Sequence, residues 1–357
     1  MSHDQLISYR KKISRLLKKL WPAINADSLK KSLFYKDNDG VSFVVEQDFP
    51  FNGREMLREW IENKEQEYIY AYQGVTIDPK TGVLFKNGRV IWGSTDYPAR
   101  ERTPKFFRHI YGNKTYCKKV ILLHNLFDNN YYHFFGNVLP KFYLAILNQI
   151  DRDATFIVSE GLSKQKFYKE LLLLNFFDGY NIIIQGKDEV IYAEECFVVK
   201  AKEFDIEAAN WVRDKLNAPY VDDEASKAIY LNRGAKSANA RFIRNQTELS
   251  AILTQYHVEF FDPQEHSLKE QINKIASAKL IISPHGAALT NMMFRKNPSC
   301  AVIEMLNPSL CAPHYFIMSK QRGFNYHPVL NLDETREKKA SSIADLNAIE
   351  LLLKKYL

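Results

Sequence analysis

Ser283-Pro284-His285-Gly286-Ala287 is the stretch of this sequence whose residue types best suit anion chemistry. Leu280-Ile281-Ile282 reads as a buried strand and Ala287 onward as a helix, which puts the loop at the carboxyl end of a sheet, where α/β proteins bind ligands. The N–H groups of a helix start and the helix dipole favour an anion there. Gly286 lets a ligand approach the backbone, His285 can donate to a phosphate-type oxygen, and Thr290 and Asn291 follow within the first turns. The plainer alternative is a tight turn with His285 capping the helix.

Four further side chains give the loop company. Tyr230-Leu231-Asn232-Arg233 is a second strand running into a polar loop, followed by Arg241 and Arg244. A guanidinium grips phosphate by a two-pronged contact, and several at strand ends suit a diphosphate. Their alternative is an ordinary solvated face, which fits Arg244 better than Arg233. Glu304, near the end of Val302-Ile303-Glu304-Met305, is placed to accept from two ribose hydroxyls or to pair with an arginine.

The first half holds a different cluster: His124-Asn125, then Asn130-Tyr131-Tyr132-His133-Phe134-Phe135 and Leu139-Pro140-Lys141. His133 heads an otherwise apolar, aromatic helix. Such a histidine is a satisfied core residue or a base facing an acceptor hydroxyl, with His124 on the same side and Asp128 the nearest carboxylate. HExxH, a DxD pair at a strand end and a ligand-type acidic cluster are all missing, so no metal site is expected. The four cysteines are scattered without a CxxC pair, which excludes a zinc knuckle.

These groups need elements to hold them. The second half alternates short apolar strands (229–231, 258–261, 280–282, 301–305, 325–329) with helices (247–255, 268–278, 287–294, 313–322), the pattern of a doubly wound parallel sheet. Ser267-x-x-Glu270 is a capping box. The first half reads as a second α/β layer, with strands at 120–123, 156–158, 181–184 and 196–199 and helices at 131–148, interrupted near Pro140, and 164–175. Before it, residues 68–92 form a small antiparallel element with an Asn87-Gly88 hairpin turn. Residues 4–20 are a basic amphipathic helix, either packed on its own domain or resting on anionic lipid.

With 357 residues the chain can bury two cores. The expected division is 1–218 for a first domain, 219–335 for a second that carries the anion-binding loop, and 336–357 for a terminal helix that can pack back across the junction. A formal charge of +7 favours anionic partners. Without a nucleic-acid module or a basic-aromatic stripe, nucleic acid is not among them. No apolar run approaches the roughly 20 residues of a membrane span, and Met1-Ser2-His3-Asp4 lacks a signal-peptide core, so a cytoplasmic protein, at most peripheral to the inner face of the membrane, is expected.

The two clusters together resemble the family 61 glycosyltransferases. The matching stretches are Asn130-Tyr131-Tyr132-His133 with Leu139-Pro140, Tyr230-Leu231-Asn232-Arg233, Arg241, Asn245, Gln271-Ile272, Ala278, Ser283 to Ala287, Leu289-Thr290-Asn291, Phe294 and Ile303-Glu304. The resemblance covers about residues 74–326 and implies a GT-B fold, two Rossmann-like domains facing across a cleft. It also implies inverting, metal-independent transfer from a nucleotide sugar, mainly a UDP-sugar, to a surface-polysaccharide or lipopolysaccharide-type acceptor, with no cofactor. On this reading Arg233, Arg241, His285, Gly286, Ala287, Thr290, Asn291 and Glu304 bind the donor. His133 or Asp128 supplies the base, while His124, Asn130, Tyr132 and Asn137 line the acceptor side.

The sequence departs from the family pattern at two points. Asn137 stands where an acidic residue commonly lies four positions after the helix histidine, and Phe242 replaces a basic residue after Arg241. Asn137 keeps a second reading open, a noncatalytic donor-fold partner in glycan assembly.

Overall fold

A computed structural model describes residues 22–37, 44–62, 66–96, 101, 113–222, 227–232, 242–332 and 341–357. Arg233, Arg241 and the basic segment 4–20 lie outside the described residues. The chain divides into two compact units, residues 1–38 with 66–208 and residues 39–65 with 209–357. That residues 39–65 join the second unit is a feature the sequence reading did not contain.

The first unit is built on one mixed sheet. Its strands are β1 (Ala23–Asn25), β2 (Lys31–Asp37), β3 (Gln66–Ile77), β4 (Leu84–Lys86), β5 (Arg89–Trp92), β6 (Asn113–Leu122), β7 (Thr155–Ser159), β8 (Asn181–Gln185) and β9 (Glu189–Lys200). They lie in the order β1-β5-β4-β3-β9-β6-β7-β8, with β2 added on β3. β9, β6, β7 and β8 are parallel neighbours, and β3 pairs antiparallel with the other edge of β9, from Tyr68↔Lys200 to Ile77↔Ile191. The antiparallel strands are therefore not a separate element before the α/β layer. They continue it, because β9 runs the full 12 residues and offers one edge to each half. The Asn87-Gly88 turn is present between β4 and β5, with positive φ at both residues as a two-residue hairpin requires.

The second unit is more regular. β10 (Lys227–Leu231), β11 (Glu259–Phe261), β12 (Ala278–Pro284), β13 (Ala301–Leu306) and β14 (Asn325–Leu330) form a parallel sheet in the order β11-β10-β12-β13-β14. Continuous apolar runs such as Leu280, Ile281 and Ile282 suit strands covered on both faces. Pro328 is tolerated because β14 is an edge. On one face, Leu249 and Leu253 of the Gln246–Gln255 helix pack with Ile349 and Leu353 of the terminal Leu346–Tyr356 helix, all in one core. The helix Leu268–Ala276 opens with the Ser267–Glu270 capping box, both reciprocal bonds formed. The inserted segment 39–65 adds Phe49, whose ring lies 5.2 Å from Phe316 and 6.5 Å from Tyr326.

Candidate functional site

In the second unit the chain leaves β12 at Pro284, and the His285 N–H donates to the Met305 carbonyl at 2.9 Å, tying the loop to β13. Glu304 lies opposite Ser283 in the ladder. His285 Nδ1 is 2.5 Å from Glu304 Oε1, and the Tyr326 hydroxyl donates to Glu304 Oε2 at 2.5 Å. The Glu304 side chain is 0% exposed and that of His285 12%. Burial, reinforced by the neighbouring carboxylate, pushes the Tyr326 phenol well above its ordinary range, so the hydroxyl keeps its proton and donates it. A buried carboxylate on Nδ1 fixes the orientation of the ring and places a proton on that nitrogen.

This geometry corrects the ribose assignment. Both Glu304 oxygens are engaged by protein and sealed from solvent, so the residue acts on His285. The helix expected after the loop is a 3₁₀ segment, Ala287–Phe294, and Gly286 is extended, with φ 168°. The first amides of such a segment still lack partners within it. His285 and Ala287 are partly exposed, whereas Gly286, Thr290 and Asn291 are buried. Asn291 donates to Gln271 Oε1 at 3.1 Å, and Thr290 is 0% exposed. Both side chains lie in the interior beneath the loop, and the Thr290 hydroxyl has no hydrogen-bond partner there.

In the first unit Asn130 caps the Tyr131–His133 turn, its Oδ1 accepting from the Tyr132 N–H at 2.9 Å. A π turn, Phe134–Val138, follows before the α-helix Leu139–Leu147 begins with Pro140 in its first turn. π turns inside helices occur frequently at functional sites. The Gly136 carbonyl accepts from the Phe204 N–H at 2.9 Å, and a Cβ at Gly136 would come within 2.2 Å of the Phe204 ring, so only glycine fits. His133 Nδ1 is 2.9 Å from Asn137 Oδ1. An amide oxygen can only accept, which places the proton on Nδ1 and the lone pair on Nε2. Phe127 stacks on the imidazole at 4.9 Å and Tyr132 meets it edge-on at 5.1 Å.

The other expected acceptor-side residues are interior. His124 is 4% exposed, with neither ring nitrogen hydrogen-bonded, and burial together with the Lys141 charge brings it down to about 4. Asp128 is buried too, and desolvation raises its carboxyl above the usual range. Lys141 Nζ donates to the His124 carbonyl at 2.7 Å and pairs with Asp96 Oδ2 at 2.8 Å, while Asn125 Nδ2 donates to the same oxygen at 2.9 Å. This network pins the β6 exit to the Leu139–Leu147 helix. Lys141, Asp96 and Tyr326 were not among the sequence candidates. Tyr326 sits opposite Val302 in the ladder, on the same strand face as Glu304 two residues on. Among the described residues no three of His, Cys, Asp and Glu are grouped to hold a metal ion.

Residues 131–303, from the head of the His133 turn to the residue before Glu304, match the family model Glycosyltransferase 61. This stretch, a little under half of the chain, is similar to the glycosyltransferase 61 family. A β-1,2-xylosyltransferase of Arabidopsis thaliana is 30% identical over 83 residues, which are 23% of this chain and 15% of that protein. A β-1,2-xylosyltransferase of Oryza sativa subsp. japonica is 29% identical over 83 residues, again 23% and 15%. The similarity thus spans well under two thirds of the relatives' length. A solved flavodiiron core from Synechocystis covers 80% of this chain and 96% of its own at 11% identity, but its TM-score of 0.23 carries no argument about fold or function.

Proposed function

We propose that this protein is an inverting, metal-independent glycosyltransferase that moves a sugar from a UDP-type donor to a glycan or glycolipid acceptor of the surface-polysaccharide class. The observation that carries the reading is the Tyr326–Glu304–His285 chain at the carboxyl edge of the parallel sheet, with His285 inside the stretch that matches Glycosyltransferase 61 and its two partners just beyond it. The acceptor oxygen attacks the anomeric carbon from the face opposite the diphosphate. The new C–O bond forms as the bond to the phosphate oxygen breaks, which inverts the centre. The hydroxyl proton passes to His133 Nε2, and the diphosphate leaves with one more negative charge. His285, held by Glu304, faces the leaving oxygens together with the amides that open the 3₁₀ segment. Arg233 and Arg241 belong to the same assignment on sequence grounds.

The xylosyltransferase relatives make UDP-xylose the first donor to try, and a β-linked product from an α-linked nucleotide sugar fits inversion. The reading includes a GT-B arrangement and action at the cytoplasmic face of a membrane, with residues 4–20 touching anionic lipid. The noncatalytic alternative rests on Asn137, yet an amide that leaves the lone pair on Nε2 keeps His133 a competent base. The test is nucleotide release and sugar transfer by the purified chain, in EDTA, across a panel of nucleotide sugars. Turnover of a UDP-sugar supports the proposal; no transfer and no hydrolysis with any donor supports the noncatalytic partner.

A further inference from the structure

A group of guanidinium side chains lies at the amino-terminal edge of the parallel sheet, the end opposite His285. The Ala287–Phe294 and His314–Gln321 segments both return against the strand direction, and they touch. The residues capping their far ends, Arg295 and Arg322, therefore emerge where β13 and β14 begin, close to the bond from the Asn325 N–H to the Cys300 carbonyl at 2.9 Å. Arg295 is 1% exposed, and its Nη1 donates to the carbonyls of Ala276 at 2.5 Å and Val221 at 3.0 Å. Arg213, on the Ile206–Lys215 helix, joins the group by donating from Nη1 to the Arg295 carbonyl at 3.3 Å.

Arg213 and Arg322 are short of partners. Each has its Nε sealed from solvent with no hydrogen-bond partner, and among the described residues neither forms an ion pair. Asp214, the carboxylate that acts on Arg213, is 64% exposed and pairs with Lys296 at 2.9 Å. The charge acting on Arg322 is Arg213 itself; burial first and this like charge second bring the Arg322 guanidinium down to about 9. Carbonyls at helix ends favour nearby cations, but none of them accepts from either Nε. Two half-buried cations that act on one another are unfavourable unless an anion joins them, and a phosphate dianion offers both the charge and the acceptor oxygens for two guanidinium forks.

We propose that Arg213 and Arg322 bind a soluble phosphate-type oxyanion at the amino edge of the second unit's sheet, a site separate from the one at His285. The bound oxyanion bridges the Ile206–Lys215 helix and the end of the His314–Gln321 helix, and so tightens the unit from the side away from transfer.

Thermal unfolding of the full chain in inorganic phosphate and in chloride of equal ionic strength tests this, with every protein also carrying His285→Ala to remove the other anion site. The parent should melt several degrees higher in phosphate. Arg322→Met should melt higher than the parent in chloride, because a like charge has been removed, and should lose the phosphate increment; Arg213→Met should lose it as well. Arg322→Lys, which keeps the charge but not the fork, guards against misfolding and should retain only part of the increment. An increment that is absent from the parent, or undiminished in Arg322→Met, overturns the proposal. So does arginine-dependent binding to phosphatidic acid vesicles without any response to inorganic phosphate, which would make the ligand a lipid headgroup.

Discussion

His285 in the second unit and His133 in the first are held by the same ring atom and by different chemistry. Nδ1 of His285 meets a fully buried carboxylate, Glu304, at 2.5 Å, whereas Nδ1 of His133 meets a neutral amide, Asn137, at 2.9 Å. Both partners orient the imidazole and put a proton on Nδ1. Only one of the partners is an acid; in the proposed mechanism His285 faces the bound anion and His133 takes up the proton. His124 completes the comparison as a histidine with no side chain hydrogen-bonded to its ring, which burial keeps neutral. The partner of a histidine, more than the histidine, sets its task.

The sharpest way to break the comparison is His133→Ala. Loss of a general base should lower kcat by about 10²–10⁴-fold while leaving UDP affinity unchanged, as read by steady-state kinetics beside calorimetry. Next is His124, through stability against pH. Its folded value of about 4 lies below its ordinary value, so the unfolded chain binds the proton more readily. Stability is fully present above pH ~6.5 and falls by about 3 kcal/mol as the pH drops toward ~4. Denaturant unfolding across that window should show the slope, and His124→Gln should flatten it.

A smaller effect is expected from Glu304→Gln, which keeps an acceptor for His285 and Tyr326 but removes the charge. UDP binding should weaken by about 10–100-fold, the range for losing a charge-assisted hydrogen bond, with little change in folding. The mildest change runs the other way. Asn137→Asp gives His133 the charged partner that His285 has, and the acidic limb of the kcat profile should move up by about one pH unit. An unmoved limb would mean that residue 137 does not govern the base.

Much of the second unit was legible because its strands are continuous apolar runs with turn and cap signals between them. Leu280 to Ile282, Ala301 to Met305 and the Ser267–Glu270 box all fall where the sequence puts them. The pairing of Glu304 with Tyr326 was not legible, because it needs to be known that β14 lies beside β13 and in which register. The π turn at Phe134–Val138 was hidden for another reason. An unbroken aromatic and apolar run looks the same as α-helix or as π, and the choice is made by Phe204, nearly seventy residues on, which takes the Gly136 carbonyl. The mixed sheet escaped notice because only Cys196 to Val199 of the long β9 reads as a strand. The placement of 39–65 on the second unit rests on contacts such as Phe49 to Phe316, which no local pattern encodes.

The most direct measurement of the central claim is UDP affinity together with single-turnover sugar transfer, in EDTA, for the parent, His285→Ala and His133→Ala. The account predicts a crossed result: His285→Ala loses UDP binding, while His133→Ala binds UDP as the parent does and fails to transfer. UDP affinity unchanged in His285→Ala, or transfer undiminished in His133→Ala, would contradict it.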